Sequence, residues 1–226
     1  MRKIQRLAGI GVMAAATLAL AACGGTAAPA SSPAASAPAA APATSAAASA
    51  DTGVTTNADV FGPACSQLPQ GDAPGSLNAM GPQPVATAAS TNPLLSTLVT
   101  AVKAVPGLPD TLNNTQGITV FAPYNGAFDA VQKQIGAPAF QGLLKDTNKL
   151  GGLLSYHVVG QRYDAKGLVA AGQTTELAGG TLTIGGTAEA PTITDGQGNT
   201  AKVLCGNIPT SNATVFVIDR VLMPKS

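Results

Sequence analysis

Residues 118–128 read ITVFAPYNGAF, and the fold turns on how they are read. Ile118, Thr119, Val120 and Phe121 are β-branched or aromatic, so they favour a strand, and Pro123, which has no amide hydrogen to add to a ladder, stops it. Asn125 then reads as the N-cap of a helix carrying Ala127, Phe128 and Val131 on one face. The strand leads straight into a helix.

Upstream, PVATAASTNPLLSTLVTAVKAV (Pro84 to Val105) reads as two helical pieces divided at Asn92 and Pro93. In the second piece Leu94, Leu95, Leu98, Val102 and Val105 recur at spacings of three and four, so one face is expected in the core. Downstream, a helical region over Ala137 to Leu154 gives way to a strand at Tyr156, Val158 and Val159. Five further strands are expected: TTEL at 174–177, TLTI at 181–184, PTIT at 191–194, AKVL at 201–204 and VFVI at 215–218. Gly, Asn and Asp fill the turns between them, at 179–180 and 195–199, as positive φ requires. VFVI is apolar on both faces, which suits a central strand covered from both sides. Helices first and a meander of strands afterwards make an α+β fold.

The amino end has a different composition. Arg2, Lys3 and Arg6 precede an uncharged, mostly apolar segment of 16 residues, Leu7 to Ala22, which has the layout of a secretory signal. Roughly 20 apolar residues are needed to span a bilayer, so removal is expected rather than a retained span. Leu20, Ala21, Ala22, Cys23 and Gly24 resemble the lipobox of bacterial lipoproteins, in which the cysteine is lipidated and becomes the first residue. Acyl chains, palmitate among them, would then hold the protein on its membrane, each buried methylene contributing about 0.8 kcal/mol. From Thr26 to Ala50 every residue is Ala, Pro, Ser or Thr, too small and polar to form a core, and Pro29, Pro33, Pro38 and Pro42 interrupt any long helix. The organisation read from composition is a removed signal at 1–22, a lipidated cysteine with a disordered tether at 23–59, and one folded domain at 60–226.

Removing Arg2, Lys3 and Arg6 from the 12 basic residues leaves nine against 11 acidic ones, a net of −2. With 4% aromatic residues and no basic cluster, that balance argues against a nucleic-acid binder, which carries a positive stripe. Once Cys23 is assigned to lipid, Cys65 and Cys205 remain as a pair, and in an oxidising location outside the cytoplasm they are expected to form a disulfide.

Three segments together resemble the fasciclin domain. TVFAPYNGAF (Thr119 to Phe128) looks like its first signature, SYHVVGQ (Ser155 to Gln161) like its Tyr-His segment, and ATVFVIDRVLMP (Ala213 to Pro224) like its second signature. With the lipobox and tether, the chain is similar to fasciclin lipoproteins and secreted antigens of mycobacteria and related actinobacteria. The resemblance implies helices packed on a twisted β-sandwich and a part in cell adhesion. Animal members are reported to engage integrins through an Asp-Ile pair before the second signature; here Asn207 and Ile208 stand there, without the carboxylate, which argues against integrin binding. Tyr124 stands where Thr is common in the first signature.

Candidate reactive groups are few. His157 is the only histidine, so no two-histidine metal site exists, and no Gly-x-Ser-x-Gly elbow accompanies it. The ring is read as a core histidine bonded to backbone, not as a catalyst. Asp219, at the end of VFVI, is read as a strand-end cap that accepts backbone N–H bonds or pairs with Arg220 or Lys103. The Gly-Gly pairs lie between strands and not at a strand-to-helix turn, so no phosphate cradle, metal or other cofactor is expected. Asn113 and Asn212 match the glycosylation pattern, which the bacterial lipobox argues against using. The chain is therefore expected to be a non-enzymatic, membrane-anchored surface module that meets an extracellular protein or polysaccharide through a face containing Tyr124, Asn125, Tyr156, His157, Asn207 and Ile208. The other expectation is a carrier of a small apolar or lipid ligand, which needs a preformed pocket of several hundred Å³.

Overall fold

The computed structural model describes residues 53–225. The signal, Cys23 and most of the tether lie outside the described residues. Residues 53–59, which composition assigns to the tether, pack on the sheet: Thr214 Oγ1 donates to the Gly53 carbonyl at 2.7 Å, and Asn207 Nδ2 donates to the Asp59 carbonyl at 3.1 Å.

The helices are α1 (Leu77–Met80), α2 (Val85–Thr91), α3 (Ser96–Ala104), α4 (Leu108–Asn114), α5 (Asn125–Ile135), α6 (Ala137–Lys145), α7 (Thr147–Ser155) and α8 (Ala165–Ala171). The strands are β1 (Ile118–Pro123), β2 (Val158–Val159), β3 (Gln173–Thr175), β4 (Thr181–Thr187), β5 (Ala190–Thr194), β6 (Thr200–Pro209) and β7 (Ala213–Ile218). The break expected at Asn92 and Pro93 is present, with a short 3-10 turn over Pro93–Leu95 between α2 and α3. The helical region expected over 137–154 is made of two helices, because Asp146 leaves helical geometry (φ −85°, ψ 88°) and its carboxylate accepts from Lys149 N to start α7.

The strands form one mixed sheet in the order β2-β1-β7-β6-β5-β4-β3, not the two layers of a sandwich. β1 and β7 are parallel, in register from Ile118 opposite Ala213 to Pro123 opposite Ile218, and the other pairs are antiparallel. Two register shifts in β6, between Val203 and Cys205 and between Cys205 and Ile208, supply the extra twist that bends a sheet. The edges then meet: Val159 bridges Glu176, and Leu177 N donates to the Val158 carbonyl at 2.8 Å, making the sheet nearly a barrel.

β1 and β7 are buried on both faces, as VFVI suggested. Val120, Ala122, Val215 and Val217 face a core shared with helices α2 to α7. Phe121, Phe216 and Ile218 face the opposite way, into a core with Leu182, Ile193 and Leu222 that α8 closes with Ala165 and Leu168. Cys65 and Cys205 are bridged, with Cα atoms 5.0 Å apart, tying the 3-10 turn at Pro63–Gln67 to the bent part of β6.

Candidate functional site

Short helices with weak intrinsic stability need their first amide groups satisfied from outside. α2 is preceded by Pro84, which offers no side-chain cap. Two asparagines from elsewhere take that role: Asn212 Oδ1 accepts from Val85 N at 2.9 Å, and Asn113 Oδ1 accepts from Ala86 N at 3.0 Å. The Asn212 amide also donates to the Leu112 and Thr115 carbonyls at 2.7 and 2.6 Å, so one side chain, 1% exposed, joins the β6–β7 turn to α2 and α4. Burial of this side chain removes it from any glycosylating enzyme.

Asn125 works in the same manner, which corrects its reading as the cap of its own helix. It is the first residue of α5, after Tyr124, and its Oδ1 accepts from Thr97 N at 3.0 Å and Ser96 Oγ at 3.2 Å at the start of α3. Its amide donates to the Pro93 carbonyl at 3.0 Å. The ring of Tyr124 folds over Gly126, occupying the place where a Cβ would stand, and packs half-buried against the helical core.

The asparagines thus fix α2, α3 and α4 as three walls over β1, and between them a cleft lined almost wholly by carbon remains. Ala86, Ala89, Val99 and Val102 form its half-buried walls; Val120 and His157 lie deeper and are buried. Its volume is about 60 Å³. That is well below the several hundred Å³ of a preformed ligand pocket. Lys103 is exposed and is the one charged residue among those lining it at neutral pH, where His157 carries no charge.

His157 is 3% exposed. Its Nδ1 lies 2.7 Å from the Leu153 carbonyl, and Nε2 lies 2.9 Å from the backbone N of Leu222. A carbonyl can only accept and an amide can only donate, so the ring must be neutral with its proton on Nδ1. Burial pushes the imidazolium down to about 4, against the opposing pull of the Leu153 hydrogen bond and of Asp195. Both ring nitrogens are spent on backbone, leaving neither for acid–base work. Tyr156 is 2% exposed; its hydroxyl accepts from Gly196 N at 2.7 Å, and burial, with Asp195 and Glu176 nearby, raises the phenol. Asp195 accepts from Gln197 N, Asn199 N and Met223 N, so the C-terminal segment is clasped by Asp195 and His157 together.

Asn207 and Ile208 are 7% and 2% exposed and cannot form an accessible face. Asn207 adopts the left-handed conformation (φ 58°) in the bend of β6, where its Oδ1 accepts from Ala165 N at 2.8 Å and caps α8. The six residues expected to share a contact surface are therefore not brought together: Tyr156, His157, Asn207 and Ile208 are interior, and Tyr124 and Asn125 are half-buried on the helical side. Asp219 is a strand-end cap as read, its Oδ1 accepting from Lys202 N at 2.8 Å. No group of three or more metal-ligating side chains occurs among the described residues. Sequence reasoning missed the cleft, although one signal was present: Val99 beside Leu98 and Val102 makes the apolar stripe of α3 wider than a single core face.

Residues 93–224 match the fasciclin domain family model. The chain is 41% identical over 175 residues to the cell surface glycolipoprotein MPT83 of Mycobacterium tuberculosis, covering 74% of this chain and 73% of that one. It is 37% identical over 177 residues to the immunogenic protein MPB70 of Mycobacterium bovis, covering 74% and 83%. Among solved structures it is similar to a FAS1 domain pair from the insect cell adhesion molecule fasciclin I, with a TM-score of 0.54 and 19% identity. That similarity covers 62% of this chain and 51% of the pair, about half its length.

Proposed function

The chain belongs to the fasciclin family, and from that premise we propose that it is a non-enzymatic cell-surface module, lipid-anchored through Cys23, that recognises a protein or glycan outside the cell. The observation that carries this reading is how the reactive groups are used. His157 gives both nitrogens to backbone, and Asp195, Glu176 and Tyr156 accept from backbone amides, so each of these groups holds the fold and none pairs with another as acid and base. The relatives named above are a cell surface glycolipoprotein and an immunogenic protein, which supports an extracytoplasmic location.

Two measurements test the reading. Intact mass of the exported protein should show diacylglyceryl on Cys23, and unmodified Cys23 would remove the anchor. Surface binding of the exported, oxidised protein to envelope glycans and extracellular matrix proteins should be saturable for at least one. Saturation with none, alongside a co-purifying lipid, would move the assignment to a carrier.

A further inference from the structure

The geometry points to the cleft between α2, α3 and α4 as the docking pocket for one branched aliphatic side chain of a partner protein, with a partner carboxylate set against Lys103. The inference rests on the surface-module reading and names the chemistry of its partner.

Size decides what can enter. A volume of about 60 Å³ is well under the roughly 150 Å³ of an apolar cavity that holds benzene. That accommodates the four carbons of a leucine or isoleucine side chain, and falls short of an aromatic ring system or a long acyl chain. Polarity decides its character. The floor contributes Val120 and His157, and the ring of His157 has no free donor or acceptor, so an occupant gains nothing from a polar tip. Burying a leucine-sized side chain there tightens binding about tenfold or more. A small carbon-lined pocket within a half-buried apolar rim is the geometry in which one anchoring side chain carries much of an interface's affinity.

Charge decides what flanks the anchor. Lys103 is exposed at the mouth, and no carboxylate among the described residues lies within ion-pair distance of it. A partner presenting an aspartate or glutamate next to its aliphatic anchor fits both the hydrocarbon and the ammonium. An exposed ion pair changes affinity only about two- to fivefold, so it selects among partners more than it holds them.

The single histidine offers a direct probe, because its ring lies in the floor of the cleft. The full exported, oxidised chain is titrated with capped dipeptides while the His157 ring and the Val99 and Val102 methyl signals are followed by NMR. Acetyl-Leu-Glu-amide should shift these signals saturably, about tenfold or more tightly than acetyl-Ser-Glu-amide, and about two- to fivefold more tightly than acetyl-Leu-Lys-amide. Lys103→Glu should reverse the Glu-over-Lys preference, and Ala89→Leu, which fills the cleft, should abolish the shifts. Absence of saturable shifts with acetyl-Leu-Glu-amide overturns the inference. So does decanoate binding the cleft more tightly than the dipeptide, which would make it an acyl site, and so does an unaltered preference in Lys103→Glu. If the protein still binds its glycan or matrix partner after Ala89→Leu, the cleft assignment fails while the surface-module reading stands; if no partner binds either form, the broader reading fails.

Discussion

The two faces of β1 and β7 look onto different kinds of interior. On one, Phe121 and Phe216 pack with ring planes tilted by 42° and centroids 6.0 Å apart inside the nearly closed sheet, α8 covers the end, and His157 and Asp195 fasten the C-terminal segment over it. On the other, small residues on three short helices leave a cleft open to solvent. Phe121, Phe216, Tyr156 and Asp195 serve the closed side, whereas Phe128 and Phe140 pack in the helical core and His157 lies where the two sides meet. Alanines and valines with no chemistry of their own make the place where something else could fit. Residues that catch the eye in this family's signatures build the frame, and the cleft lies among less conspicuous neighbours.

Truncation on each side gives the largest contrast. Phe216, 0% exposed, should cost about 3–5 kcal/mol when replaced by Ala, because the closed sheet collapses poorly around the void. Val102→Ala at the cleft wall should cost about 1 kcal/mol or less, since its side chain already borders open space. Urea midpoints of the two oxidised variants measure the difference, and equal costs would break the distinction between a closed and an open side.

Acid should strike the C-terminal clasp, whose histidine ring also lies in the cleft floor. The native imidazole of His157 titrates at about 4, below the value of about 6.5 in an unfolded chain, so the unfolded state takes up the proton first as pH falls. Stability from this group is complete above about pH 6.5 and is lost between there and about pH 4, by about 3 kcal/mol. The protonated ring can no longer accept from Leu222 N, and the C-terminal clasp loosens with it. His157→Gln should be less stable at neutral pH and should lose less stability across that interval. A drop identical to that of the unaltered protein would place the acid sensitivity elsewhere.

How far these features were legible follows from the range of the interactions that make them. The strand character of VFVI and its central place could be read because both faces are apolar, a property of four adjacent residues. The parallel pairing of β1 with β7 could not, since its register joins positions 95 apart, Ile118 with Ala213, and no local signal fixes it. The same holds for the closure of Val159 on Glu176 and thus for the expectation of a sandwich. α8 went unread although its signals were local: Asp164 Oδ1 accepts from Gly167 N and Gly172 ends it in the left-handed conformation, but Gly167 weakens a helix of seven residues. For the candidate site, residue type misled. Asn207 and Asn125 look like ligands or local caps, and only the tertiary structure shows them capping helices distant in sequence.

Those distant caps yield a smaller test on the open side. Asn125→Ala removes the acceptor for Thr97 N and should cost about 1 kcal/mol, in the range of an N-cap loss. Because Asn125 also accepts from Ser96 Oγ, a cycle with Ser96→Ala should show coupling of a few tenths of a kcal/mol or more. Additive costs would mean that α3 is held in place by packing alone.

The smallest expected effect discriminates most finely, because it adds matter instead of removing it. Ala89 on α2 and Ala101 on α3 are both helical alanines, so Ala→Val carries the same propensity cost, about 0.5 kcal/mol, at each. Ala101 is 0% exposed, and two extra carbons there must displace packed neighbours, at about 1–3 kcal/mol. Ala89 is half-buried on the cleft wall, where the same two carbons enter open volume, remain about half in water and together gain about 0.8 kcal/mol. The gain offsets the propensity term, and Ala89→Val should lie within about 0.5 kcal/mol of the unaltered protein in urea unfolding, with the Val102 methyl signals shifted by the new neighbour. A cost at Ala89 equal to that at Ala101 would mean that the helical side is as tightly filled as the sheet interior, leaving no vacancy for a partner's side chain.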